Sequence, residues 1–549
     1  MKLNRVGYYA LAVSSLMASC KDDVRDEQMP SVSITSPAAD TKVWLDVPVR
    51  VDVVDNQGVS KVAFYLDDEL LGEDTDAPYE LSFDSKEYED GTYTLRTVAF
   101  DGQSNREEAT QQIEIFNKLL QLNVEGEYVG ESRYIREAWV IAANTEGDVI
   151  EAVMLENDKS FTVDRPEGMY DDKIRVALYF QYYFGESQYI YVDEYQDVSP
   201  KVLTFTGYSG ETNEVEALGS ATLSLTIPET YRADVYGENI TWQSSSVYNG
   251  DGTTNHNYML DVYDHPASAY VQMYDGESST TPLYSNLEDI QVGAVYNLEE
   301  NNFTPMSLWQ SISIPADYSA SISVRGNLSN GNRYDLTYSS KPEGTTTLNA
   351  FTPGDAFDSY SYYLQMRDDR VSYSQSAESP PSSSYNIPSV GLQVTANDNN
   401  LFSATVNYEA SYSYSSWDYY YYDNTNYTSS GIHWIVYGNI NNGSVQNQRI
   451  SLPAALVERT PLLQDHLSDL AYYSTVFMKR DEISSVADYF KTVYRPSGEY
   501  IGFRNYESVT VYPSTESART AQERTVRHPD ALPFIPGREN DLRFYGERK

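Results

Sequence analysis

The sequence predicts a mainly β protein: tandem β-sandwiches, then a Tyr-rich β body with a short helical segment near the C-terminus. Three observations carry this. Short runs of alternating apolar and polar residues recur about every ten residues between Asn, Asp and Gly turn signals. Tyrosine is abundant, 50 of 549 residues, and much of it alternates with serine, which suits strands with one half-buried aromatic face. Helical periodicity is confined to a stretch near residues 451–495.

The first ordered segment is 31–117. Val32-Ser33-Ile34, Val47 to Val53, Lys61 to Leu66, Tyr79 to Phe83, Tyr93 to Ala99 and Gln112 to Ile115 alternate, separated by Asp55-Asn56-Gln57-Gly58, Asp67-Asp68 and Glu89-Asp90-Gly91. Six or seven short strands at that spacing predict a sandwich. Pro78 and Gly91 shape turns, and Asp67 and Asp101 are placed to cap loops through their side chains. The phrases VSITSP, DNQGVSKVAFYLDDELLGEDTDAPYELSFD and DGTYTLRTVAFD resemble the bacterial Ig-like domain. That resemblance implies a spacer or accessory module without catalytic residues, a stalk that lifts the rest of the chain off the membrane.

Ahead of it, Lys2 and Arg5 precede an apolar run from Val6 to Met17 and the small pair Ala18-Ser19. This is the layout of a secretory signal peptide over 1–19, too short for a permanent membrane span. The next residue is Cys20, the single cysteine of the chain, and LMASC resembles the lipobox of bacterial lipoproteins, with Met17 where Leu, Val or Ile is commoner. The resemblance implies lipid on the Cys20 sulfur and amino group, and two or more acyl chains anchor stably. A catalytic thiol is disfavoured, because Asp22 and Asp23 oppose thiolate formation. Lys21, Asp22 and Asp23 resemble the export signal of Bacteroidota-type outer-membrane lipoproteins. The expected location is therefore the outer membrane, lipid-anchored and facing outward, with 20–30 as tether.

After 118–123 a second β-sandwich is expected over 124–230, with strands at Ala138 to Ala143, Val149 to Leu155, Ser160 to Val163 and Lys173 to Phe184. A Tyr/Ser-rich β domain comes next over 231–450, including SYSYYLQM (359–366) and SYSYSSWDYYYYDNTNY (411–427). In 451–495 the period changes. Thr460 and Pro461 open a helix along Leu463, Leu467, Leu470, Tyr473 and Phe477, and Asp481 opens a second with Ile483, Val486, Ala487 and Phe490 on one face. The remainder, 496–549, reads as a C-terminal strand and a tail.

Composition and motifs bound the function. The formal charge is −43, which repels phosphate backbones and argues against nucleic acid. HExxH, GxSxG, a P-loop and a strand-borne GxGxxG are missing from the sequence. His256, Asp261, Asp264 and His265 cluster, but at no strong ligand spacing, so neither metal nor cofactor is assigned. No catalytic residue is assigned either; a pair of acids brought together in space leaves no mark on sequence spacing.

The aromatic runs are the better lead. Trp417, Tyr419, Tyr420, Tyr421, Tyr422 and Trp434 are the candidate ligand-stacking residues, flat rings for sugar faces with Asp418, Asp423 and Asn424 as a polar rim; packing within a sheet is the competing role. The expectation is a surface binding or accessory component that captures glycan or an outer-membrane protein partner. A surface hydrolase acting on polysaccharide is the second class left open.

Overall fold

The computed structural model describes residues 27–130, 135–169, 173–199, 201–207, 216–275, 281–328, 333–341, 344–368, 370–385, 387, 393–397, 400–493 and 505–512. The signal-peptide stretch, Cys20, Lys21, Asp22 and Asp23 lie outside the described residues, as does the tail beyond 512. The chain is mainly β, about 63% strand and 6% helix, and it divides between Leu119 and Leu120.

In the first unit, a sheet of Ser31–Ser36, Asp46–Val54 and Glu80–Asp84 faces one of Lys42–Val43, Arg106–Ile115, Gly91–Asp101, Val59–Leu66 and Glu69–Asp74. Asp46–Val54 buries every second residue, as period-two geometry requires. Val49, Val62, Phe64, Leu95 and Ile115 form the core. Asp67 accepts from the Thr94 amide at 2.7 Å, and Asp101 from the amides of Gln103 and Asn105 at 2.8 Å, so both cap loops as expected. Phe64 is fully buried; Phe64→Ala is expected to destabilise this sandwich by about 3–5 kcal/mol, read from its urea unfolding transition.

The second unit departs from the expected boundaries. Strands from 124–230 are divided among sheets: Ser160–Asp164, Lys118–Glu125 and Lys201–Thr206 pair with one another, and Gly219–Pro228 belongs elsewhere. Ile135–Ala143, Val149–Met154, Ile174–Phe184 and Ser187–Val198 form one end of a twelve-stranded sheet completed by eight strands from 319–511. The join is a parallel pairing of Ser187–Val198 with Thr428–Gly438, from Gln188↔Ser430 to Tyr195↔Tyr437. Residues 219–305 form a separate sandwich, with sheets Ile240–Tyr248, Thr253–Val262, Gly219–Pro228, Val295–Glu299 and Tyr231–Glu238, Ser268–Asp275, Leu283–Leu287, Thr304–Pro305. Its core holds Leu223, Leu225, Leu260 and Val271. Alternation specifies a strand and its two faces, but not its partner.

The helical segment also differs. The helix that Pro461 opens ends at His466, without a side-chain cap from Thr460. Leu467–Asp469 makes a 3-10 turn, and Ala471–Lys479 is a strand, so Tyr473 and Phe477 are strand residues. Neighbouring strands on both sides, Tyr412–Asp423 and Tyr506–Val511, outweigh the accidental helical spacing of a β-rich sequence. The second helix is Val486–Val493 and begins after Ser485, whose hydroxyl accepts from the Asp488 amide at 3.2 Å; Asp481 lies upstream. Ile483, Val486 and Phe490 are buried as expected.

Candidate functional site

The Tyr-rich hairpin Tyr412–Asp423/Thr428–Gly438 lies in the middle of the twelve-stranded sheet, and its alternation sorts the rings. Trp417 pairs directly with Trp434, and both point into the core with Ile190, Val192, Ile432 and Val436. Their exposures are 0% and 1%. Neither is a stacking platform; these two candidates are corrected to packing residues. Trp434 donates its indole N–H to Glu194 at 3.2 Å, and the Arg449 guanidinium lies 4.8 Å from its ring. Tyr419, on the same side of its strand, stacks on His466 at 4.2 Å between ring centres. Tyr421 extends past the core and is 55% exposed. Asp423 accepts from the Thr425 amide and the Asn426 side chain, holding the turn together.

The opposite face carries the site. Asp418, His433 and Tyr191 form one row across three strands. Tyr420, Gly431, Tyr189 and Tyr182 form the next row toward the hairpin ends. His433 Nδ1 bonds the Asp418 carboxylate. The Tyr191 ring meets His433 edge-on at 5.9 Å and Tyr182 at 5.4 Å. Tyr182 stacks on Phe184 at 6.5 Å, and Phe184 meets Tyr189 edge-on. Phe184, Tyr420 and Tyr422 are exposed. Gly431 lies between two of these rings: a Cβ there would rest in ordinary contact, 3.5 Å from both Tyr189 and Tyr420, and would press at 3.1 Å on the Tyr419 carbonyl. A glycine in a strand marks such an approach.

Asp193 is diagonal to His433 across the parallel pair. Burial pushes its carboxyl up to about 6, against the lowering effect of His433. Burial pushes the Tyr191 phenol up to about 12, with Tyr189, Asp418 and Asp193 adding to the rise. The face thus combines flat rings with a carboxylate–imidazole pair and a second acid of high pKa.

Sequence reading offered Tyr420 and Tyr422 as candidate stacking rings, with packing as the competing role, and did not assign Phe184, Tyr189, Tyr191, Asp193 or His433 to the site. The signal available was YYFGESQYIYVDEY, a second aromatic hairpin; its alignment beside the first is a tertiary fact. The clustered His256 and Asp261 bind Ser246 and Ser220 hydroxyls separately. Among the described residues no group of three or more His, Cys, Asp or Glu is placed to hold a metal ion.

No curated protein matches the chain. Among solved structures, the fibronectin(III)-like modules of Clostridium thermocellum CbhA are 31% identical, over 16% of this chain and 94% of theirs, at a TM-score of 0.15. The endo-β-1,4-mannanase from Thermotoga petrophila is 16% identical over 17% of this chain and 21% of its own, TM-score 0.15. The Bacteroides ovatus mixed-linkage glucan utilization locus SGBP-B, in complex with a mixed-linkage heptasaccharide, is 11% identical over 61% of this chain and 99% of its own, TM-score 0.15. The family model of the bacterial Ig domain matches residues 30–96, and the N-terminal sandwich is an Ig-like domain.

Proposed function

We propose that this is a lipid-anchored protein of the outer-membrane surface that captures glycan on the outer face of its twelve-stranded sheet. The observation that carries the reading is the row of exposed rings, Phe184, Tyr420 and Tyr422, beside the Asp418–His433 pair. Aromatic faces receive the C–H faces of sugars, and a carboxylate paired to an imidazole fixes hydroxyl groups. Each ring is worth about 0.5–1.5 kcal/mol. On a glycan array, the combined Tyr420→Ala and Tyr422→Ala variant is expected to bind about tenfold or more weakly than the parent. Unchanged affinity for the same glycans sinks the reading.

A second reading, a surface polysaccharide hydrolase, draws on one observation: two carboxylates of unlike environment, Asp193 and Asp418, flank His433. Release of reducing sugar that vanishes in both Asp193→Asn and Asp418→Asn would favour it over simple capture.

The anchor has its own test. Cys20→Ala is expected to lose palmitate labelling and leave the membrane fraction. Replacing Asp22 and Asp23 with Asn should preserve lipidation and reduce access to external protease. A labelled, membrane-bound Cys20→Ala variant refutes the lipid anchor, and unchanged protease access refutes the export signal.

A further inference from the structure

The sandwich of residues 219–305 ends on one side in the strand Ile240–Tyr248, sequence ITWQSSSVY, which pairs only with Thr253–Val262 among the described residues. Eight of its nine residues are exposed, including Trp242 at 43%, Val247 at 55% and Tyr248 at 76%. Edge strands are normally blunted by charge, proline or a bulge. This one has no charged residue and no proline, and its register with Thr253–Val262 is unbroken from Ile240↔Val262 to Tyr248↔Thr254.

The hydrogen bonds show which backbone groups are free. The Asn249 amide donates to the Thr253 carbonyl at 3.1 Å, and the Tyr263 amide to the Asn239 carbonyl at 2.9 Å. In an antiparallel ladder, bonded pairs alternate, so the odd-numbered residues 239 to 249 face Thr253–Val262. The N–H and C=O groups of Ile240, Trp242, Ser244, Ser246 and Tyr248 therefore point to the open edge. The side chains of these five residues share one face. Ile240 packs on the sandwich core, Trp242 meets Tyr258 edge-on at 5.4 Å, and Ser246 bonds His256.

We propose that this edge is a homodimer interface, in which the strand pairs antiparallel with Ile240–Tyr248 of a second copy about a two-fold axis at Ser244. The strand is self-complementary in that register. Apolar residues stand at both ends and three serines, Ser244 to Ser246, lie toward the centre. Ile240 then lies opposite Tyr248 of the partner subunit, and Trp242 opposite Ser246 of the partner subunit, with the partner's Tyr248 on its diagonal. The two most exposed rings of the strand cover each other, and the free donors and acceptors are satisfied. Charge favours this contact over others in a chain of net charge −43: residues 239–250 contain no Asp, Glu, Lys or Arg, in a chain where 22% of residues are charged. Two copies meet here without like charges facing across the strands.

The test uses the full chain carrying Cys20→Ala, which removes the lipid site and the only native thiol. In sedimentation across a concentration series, its mass is expected to rise toward twice that of the protomer. Ser244→Pro removes one edge amide without touching the ladder to Thr253–Val262, and Ser244→Lys sets two like charges opposite each other; both variants should stay monomeric, with unchanged circular dichroism for Ser244→Lys. In the same background, mild oxidation of Ser244→Cys should give a covalent dimer, since a bonded antiparallel pair has Cα atoms about 5.5 Å apart, within disulfide reach. Val247→Cys should not crosslink, because it lies opposite Thr241 of the partner subunit, about 20 Å along the strand from its own counterpart. A monomer throughout the series overturns the proposal, as does crosslinking at Val247 as readily as at Ser244. Glycan affinity is read separately and does not enter this result.

Discussion

Glu194→Ala is expected to destabilise the second unit by about 3–5 kcal/mol, the usual consequence of removing one member of a buried ion pair. Glu194 is fully buried and Arg175 nearly so. The Glu194 carboxylate accepts from Arg175 Nε at 2.9 Å, the Ile450 amide at 3.0 Å and the Trp434 indole at 3.2 Å. Arg175 also donates to the Gln448 carbonyl. One carboxylate therefore fastens Ile174–Phe184 and Ser187–Val198 to the segment just after Ser444–Gln448. Burial pushes its carboxyl upward, and Arg175 and the two N–H donors oppose that rise. Truncation leaves a buried guanidinium and two N–H groups without their acceptor, and each orphaned group carries a penalty of about 1–3 kcal/mol. The measurement is a lowered urea midpoint with an unchanged slope. Joint replacement, Arg175→Met with Glu194→Leu, should be milder than Glu194→Ala alone, because no charge is then left unpaired. A Glu194→Ala variant as stable as its parent contradicts this account.

Asp193 gives the second large effect, with opposite sign. Its folded-state pKa, about 6, stands above the ordinary 3.8. Below about pH 3 the carboxyl is protonated whether folded or not, and contributes nothing. Between about 4 and 6 the folded state holds more protons than the unfolded state, so stability falls as pH rises. Above 6 the full penalty, about 3 kcal/mol from the gap between the two pKa values, is present. Asp193→Asn removes the ionisation. It should match the parent near pH 3 and exceed it in stability by up to about 3 kcal/mol at pH 8. Parallel stability curves for the two proteins across that range would show that Asp193 is not held in a desolvated site.

Much of the N-terminal unit was legible. Val47, Val49 and Val51 alternate in the sequence and alternate in burial, and Asp67 and Asp101 cap the loops their positions suggested. The candidate site was legible only in part. Alternation correctly implies that Trp417 and Tyr420 lie on opposite sides of one strand, yet it does not say which side is covered. The ring with the larger apolar area went inside, leaving Tyr420 and Tyr422 outside. Ala471–Lys479 was misread for a related reason. Apolar residues at helical spacing also occur in a strand buried on much of its length, and only its two neighbours in the sheet settle the matter.

By itself the sequence determined strand content, the N-terminal Ig-like module, the strongly acidic surface and the two-sided character of the tyrosine runs. These are properties of composition and of a period of two, which any short window displays. Tertiary structure alone decided that Ser187–Val198 runs parallel to Thr428–Gly438, which sets Tyr191 against the His433 of the local Asp418–His433 hairpin pair. The two strands, and Tyr191 and His433 with them, are some 240 residues apart in the chain. Their meeting is selected by the apolar area the whole sheet buries, a sum over both halves of the body that no local pattern encodes.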